Sequence, residues 1–92
     1  MYYVYILSNR SRTTFYTGVT NNLQRRLYEH KIGLVKGFTK IYLLKYLMYY
    51  EEYINIEEAI IREKQIKNWH RQWKVNLIRE KNNALDDLAL NW

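Results

Sequence analysis

Two runs rich in Tyr, Val, Ile, Thr and Phe, at residues 2–8 (YYVYILS) and 15–19 (FYTGV), flank a stretch of turn composition, SNRSRTT. Aromatic and β-branched residues cover a pleated surface well, so the runs predict an antiparallel hairpin. Each run carries a tyrosine, Tyr5 or Tyr16, at the end of a triplet or at its start. Side chains alternate faces with period two, so these tyrosines share a face only if paired positions sum to an odd number, such as 5 with 16 or 5 with 18. In that register two phenols converge on one spot, where they can hold or move a proton. In the other they are strand packing.

A chain of 92 residues supports one core and buries only about 60 to 65% of its unfolded surface, so a single domain is expected. Apolar residues make up 48% and aromatics 16%, which excludes a disordered chain. There is no cysteine, which excludes disulfide staples and thiolate metal sites. MYYVYIL lacks the basic lead and small-residue cleavage site of a signal peptide, and no apolar run reaches membrane-spanning length. A cytoplasmic protein is the expectation. The net charge of +6 is unevenly placed: residues 1–50 carry eight Lys and Arg against Glu29, a net +7, and residues 51–92 carry seven against eight acids, a net −1. Such asymmetry points to a polyanionic partner, nucleic acid above all.

After the hairpin a helix is predicted from about Asn21, whose side chain can cap it, through LQRRLYEH. KIGLVKGFTK reads as a basic loop with glycines at 33 and 37, and IYLLKYLMYYEEY as a third strand whose leucines leave a helix open. From Asn55 the chain reads as helix, with acids in its first turn and a break near Trp69 and His70. The tail from residue 81 is weakly specified.

At 100° per residue, Ile56, Ala59, Ile60, Ile66, Trp69 and Trp73 fall on one arc, and Glu63 lies inside it. A carboxylate on a core-facing stripe needs a partner, and Arg62 at the arc's edge could supply an internal ion pair. A metal or catalytic role is the alternative. On the earlier helix, Arg26 and His30 are four residues apart and share a face.

Together these residues resemble the GIY-YIG nuclease family, over most of the chain and most closely its small stand-alone members. Tyr3-Val4-Tyr5 is similar to the first signature triplet and Tyr16-Thr17-Gly18 to the second. NLQRRLYEH is similar to the helix that carries the family's arginine and histidine, and AIIREKQIK to the one that carries its acidic residue. Tyr3 stands in place of the first glycine, Thr17 in place of isoleucine, and Val19 where some repair nucleases of the family have lysine. The resemblance implies an α+β fold, a three-stranded antiparallel sheet flanked by helices, with the signature core over about residues 2–80. It implies catalytic roles for Tyr5, Tyr16, Arg26, His30 and Glu63, with Glu63 as ligand to one Mg²⁺ or Mn²⁺, and Asn68 or Asn76 as candidates for the asparagine of larger members.

The implied activity is metal-dependent endonucleolytic hydrolysis of DNA phosphodiester bonds, with RNA open as a substrate. Arg26 would fork onto the phosphate, and Tyr5 would take a proton from the attacking water once nearby cations lower its pKa from about 10. Arg25, Arg26, Lys36 and Lys40 would hold phosphates. Two other readings stand beside this one: a catalytically silent nucleic-acid-binding module, and a protein-interaction domain that uses the aromatic surface. A monomer or a weak homodimer is expected.

Overall fold

The computed structural model describes residues 1–35 and 37–92; Lys36, one of the expected phosphate contacts, lies outside them. The hairpin forms from β1 (Tyr2–Ser8) and β2 (Phe15–Thr20), followed by α1 (Leu23–Lys31), α2 (Phe38–Ile41), β3 (Tyr46–Tyr53), α3 (Ile56–Lys67) and α4 (Arg71–Lys81). The sheet is antiparallel in the order β2-β1-β3, so the fold is α+β, as the resemblance implied.

Tyr5 pairs with Gly18 and Leu7 with Tyr16, positions that sum to an odd number. Both tyrosines therefore occupy one face, as diagonal neighbours. That face packs Tyr5, Leu7 and Leu47 against Leu23 and Leu27 of α1, with Leu44 and Ala89. The opposite face packs Val4, Ile6 and Met48 against Ala59 and Ile66 of α3 and Leu77 and Ile78 of α4. A bulge in β3 between the partners of Ile6 and Leu7 keeps Leu47 on the α1 face. Thr17, opposite Ile6, is buried, and its Oγ1 has no hydrogen-bond partner among the described residues, a cost that an isoleucine there would not incur.

Several boundaries differ from the sequence reading for local reasons. The cap of α1 is Asn22, whose Oδ1 accepts from the Arg25 amide at 3.1 Å, rather than Asn21. The expected basic loop contains α2, entered through Gly37 at φ 93°, where only glycine is unstrained. The third strand starts at Tyr46, because Ile41 completes α2 and Leu43 turns the chain at φ 56°. In α3 only Ala59, Glu63 and Ile66 of the predicted arc are buried; Ile56 and Ile60 lie at its rim and Trp73 is exposed on α4.

The expected Arg62–Glu63 pair does not form. Arg62 reaches β3 instead, placing Nε 3.0 Å from Glu51 Oε1 and Nη2 3.0 Å from Oε2, while Tyr49 and Tyr53 donate to the same carboxylate at 2.5 and 2.6 Å. Burial raises the Glu51 pKa, but Arg62 and the two phenols outweigh it and hold the carboxyl below its usual range. This saturated network ties α3 to the sheet and leaves Glu63 to a different partner.

The tail is also more specified than its composition suggested. Asn82 Nδ2 donates to the Met48 and Asp86 carbonyls, Asp87 Oδ1 accepts from the Leu47 amide at 3.0 Å, and the Leu88 amide donates to the Leu47 carbonyl. β3 is an edge strand, and the tail satisfies backbone groups that an open edge would present to other chains.

Candidate active site

The site begins with Gly18. A Cβ there would stand 2.5 Å from Tyr5 Oη, so the absence of a side chain on β2 lets the Tyr5 ring lie across its strand partner. The rings of Tyr5 and Tyr16 are then 6.3 Å apart, and His30 from α1 completes a triangle, 6.0 Å from Tyr5 and 5.9 Å from Tyr16. Tyr5 and His30 are buried and Tyr16 is half-buried, so Tyr16 is the phenol nearer to solvent.

His30 links the two elements that hold it. Its Nε2 is 3.2 Å from Tyr5 Oη and its Nδ1 3.2 Å from Thr39 Oγ1 on α2. A protonated phenol donates to Nε2, which leaves Nδ1–H to donate to Thr39. Arg26, one turn before His30, lies beside the Tyr5 hydroxyl and pairs with Glu29 at 3.3 Å.

Burial decides the protonation states. It pushes the Tyr5 phenol up to about 12, although the Arg26 guanidinium pulls the other way. The expected lowering of Tyr5 by nearby cations is therefore not achieved by the protein alone: desolvation of the phenolate outweighs Arg26. His30 is pushed down to about 4 by burial first and the Arg26 charge second, so its imidazole is neutral at neutral pH.

That neutrality has a stability consequence. Between about pH 6.5 and 4 the unfolded chain protonates this histidine and the folded chain does not, so the unfolded state binds more protons and stability rises with pH across that window. The contribution is on the order of 3 kcal/mol, complete above pH 6.5. Thermal midpoints of wild type and His30→Gln should converge as pH falls from 7 to 4. A gap that stays constant contradicts a neutral buried imidazole.

Glu63 approaches from α3. It sits 8% exposed between Ala59 and Ile66, and its partner is Lys67, whose Nζ is 2.7 Å from Oε2. The same ammonium stands 5.6 Å from the Tyr16 ring centroid, so Lys67 joins the carboxylate to the tyrosine pair. The hydrogen bond from Lys67 to Glu63 holds the ammonium charged, above its usual range. Among the described residues no group of three His, Cys, Asp or Glu side chains could hold a metal, so Glu63 would be the lone protein ligand.

Of the predicted residues, Tyr5, Tyr16, Arg26 and His30 form one cluster, and Glu63 joins it through Lys67. Arg25 and Lys40 are exposed on α1 and α2. Asn68 caps the C-terminus of α3 and Asn76 accepts from Gln72; both are exposed. Thr39 and Lys67 escaped sequence reasoning. Thr39 lay in a stretch read as loop, and Lys67 is visible only as the residue four beyond Glu63 on one helix face.

Residues 1–76 match the GIY-YIG catalytic domain, and the chain belongs to that family. It is 35% identical over 80 residues to a UPF0213 protein of Staphylococcus haemolyticus, covering 87% of this chain and 96% of that one. A UPF0213 protein of Clostridium perfringens is 40% identical over 81 residues, covering 88% and 86% of the two chains. The solution NMR structure of the UPF0213 protein BH0048 from Bacillus halodurans superposes with a TM-score of 0.57 at 26% identity, covering 99% of this chain and 98% of that one.

Proposed function

We propose that this chain is a divalent-cation-dependent endonuclease that hydrolyses DNA phosphodiester bonds, working in the cytoplasm as one domain spanning residues 1–92. The observation that carries this reading is two phenols packed over one strand glycine, with a neutral imidazole and a guanidinium beside them and a buried carboxylate reached through a single ammonium.

Glu63 could hold one Mg²⁺ or Mn²⁺, since its carboxylate attracts a cation, the Lys67 ammonium 2.7 Å from Oε2, and a hard metal ion can bind through a single carboxylate while keeping most of its waters. A bound ion would polarise a phosphate oxygen and steady the leaving oxygen. Arg26 forks onto the same phosphate and strengthens its hold as charge builds in the transition state. Tyr5 is too buried and too weakly acidic to serve as a free phenolate. Its role is to position: Tyr5 Oη donates to His30 Nε2 and so fixes the imidazole beside Tyr16, the phenol that meets the attacking water.

Arg25 and Lys40, with Lys36 in the same basic half, would neutralise neighbouring phosphates with little base readout, and an RNA backbone offers the same contacts. A silent binding module of the same fold is the second reading, favoured by the occupation of Glu63 by Lys67. Purified protein should nick plasmid in Mn²⁺ and stop in EDTA. Steeply salt-dependent binding without cleavage of duplex, branched or single-stranded DNA would instead select the binding module.

A further inference from the structure

Lys67, like Thr39, belongs to the cluster without a role from the signature triplets or from the arginine, histidine and glutamate positions. Its ammonium is 2.7 Å from Glu63 Oε2 and 5.6 Å from the Tyr16 ring, and its side chain is 48% exposed, against 11% for that of Glu63. The carboxylate is fixed on the buried stripe of α3, whereas a lysine stem four residues on can swing. We infer that Lys67 is an internal counter-ion that competes with the divalent cation for Glu63 and, once displaced, turns its ammonium to the DNA phosphate over Tyr16. The inference rests on the reading of Glu63 as the cation ligand.

The electrostatics favour this exchange over simultaneous occupancy. Two cations on one carboxylate oxygen repel at short range. The displaced ammonium keeps the Tyr16 ring face as a second anchor, so it stays within the site instead of leaving it. It would meet the phosphate from the α3 side, opposite the α1 side from which Arg26 comes. The protein would thus be insulated against an empty, negatively charged carboxylate when no metal is bound, and would gain a phosphate contact when one is.

The test uses Lys67→Met, which keeps the length of the stem and removes the charge, beside wild type and Glu63→Gln. Mn²⁺ binding is read by loss of the free-ion electron paramagnetic resonance signal, DNA binding in Mn²⁺ by anisotropy, and folding by thermal midpoint. Lys67→Met is expected to keep its midpoint and to bind Mn²⁺ about two- to five-fold more tightly, the scale of a half-exposed ion pair lost as a competitor. Its DNA affinity at saturating Mn²⁺ should fall and its salt slope should shrink by about one phosphate contact. Opposite movements of metal and DNA affinity cannot come from a structural role, which lowers both. Unchanged or weaker Mn²⁺ binding in Lys67→Met, with binding lost in Glu63→Gln, overturns the counter-ion role and leaves the Glu63 assignment standing. Tighter Mn²⁺ binding with unchanged DNA affinity and slope overturns the phosphate contact. Mn²⁺ binding that Glu63→Gln retains overturns the Glu63 assignment and this inference together.

Discussion

Gly18→Ala should destabilise the chain by about 3 kcal/mol and remove its chemistry in the same step. The added Cβ would stand 2.5 Å from Tyr5 Oη, 2.6 Å from Tyr5 Cζ and 3.0 Å from Tyr16 Cε2. Tyr5 is 1% exposed and bonded to His30, so its rigid ring has nowhere to move without breaking the Tyr5–His30 contact. Overpacking of this kind typically costs about 1–3 kcal/mol, and here it also breaks the hydrogen bond that fixes His30 beside Tyr16. Chemical denaturation of Gly18→Ala, alone and with Tyr5→Leu, checks the cause: the second substitution should restore part of the stability, because it removes the atoms in collision. A wild-type midpoint for Gly18→Ala would mean that the close approach across β1 and β2 is not a constraint.

Arg26→Lys should lower the cleavage rate by about a hundred-fold or more while leaving the fold nearly intact. The guanidinium can bind two phosphate oxygens at once, and an ammonium cannot reproduce that fork. A donor aimed at developing charge is worth on the order of 10² to 10³ in rate. Its only ion-pair partner among the described residues is Glu29, on a solvent-accessible stretch of α1, and such pairs contribute less than about 1 kcal/mol. Single-turnover cleavage in Mn²⁺ and the thermal midpoint separate the two effects. A rate within a few-fold of wild type would reduce Arg26 to a surface partner of Glu29.

How much of this was legible in the sequence differs by element. The hairpin, its possible registers and the helix break near Trp69 were readable, because alternation and turn composition act locally. The start of β3 was not: IYLLKYLMYYEEY reads as one strand whose leucines leave a helix open, and only the end of α2 at Ile41, the positive φ of Leu43 and the packing of Leu44 on the α1 face divide it. Periodicity put Glu63 on the buried stripe of α3 but could not choose its partner. That choice was made across the sheet, where Glu51 on β3, flanked by two phenols, captured Arg62.

The site was legible as a set of residue types and not as a set of protonation states. Tyr5, Tyr16, Arg26 and His30 could be named through the resemblance to the GIY-YIG family, yet the balance between Arg26 and desolvation at Tyr5 depends on how deeply the ring is buried, and that depends on Gly18. Thr39 fixes the imbalance of the two imidazole nitrogens from a helix of four residues that composition presented as loop.

The most direct test is metal-dependent nicking by wild type and Glu63→Gln, purified away from host nucleases and assayed side by side on duplex, branched and single-stranded DNA with Mn²⁺. Because Arg62 is satisfied by Glu51 and Lys67 can reach water, Glu63→Gln should remain folded. With a negative charge removed from the phosphate's neighbourhood, it should bind DNA at least as well as wild type. The account predicts nicking by wild type that EDTA abolishes and that Glu63→Gln lacks. Wild-type nicking that persists in Glu63→Gln, or no nicking by wild type on any of the three substrates, would contradict it.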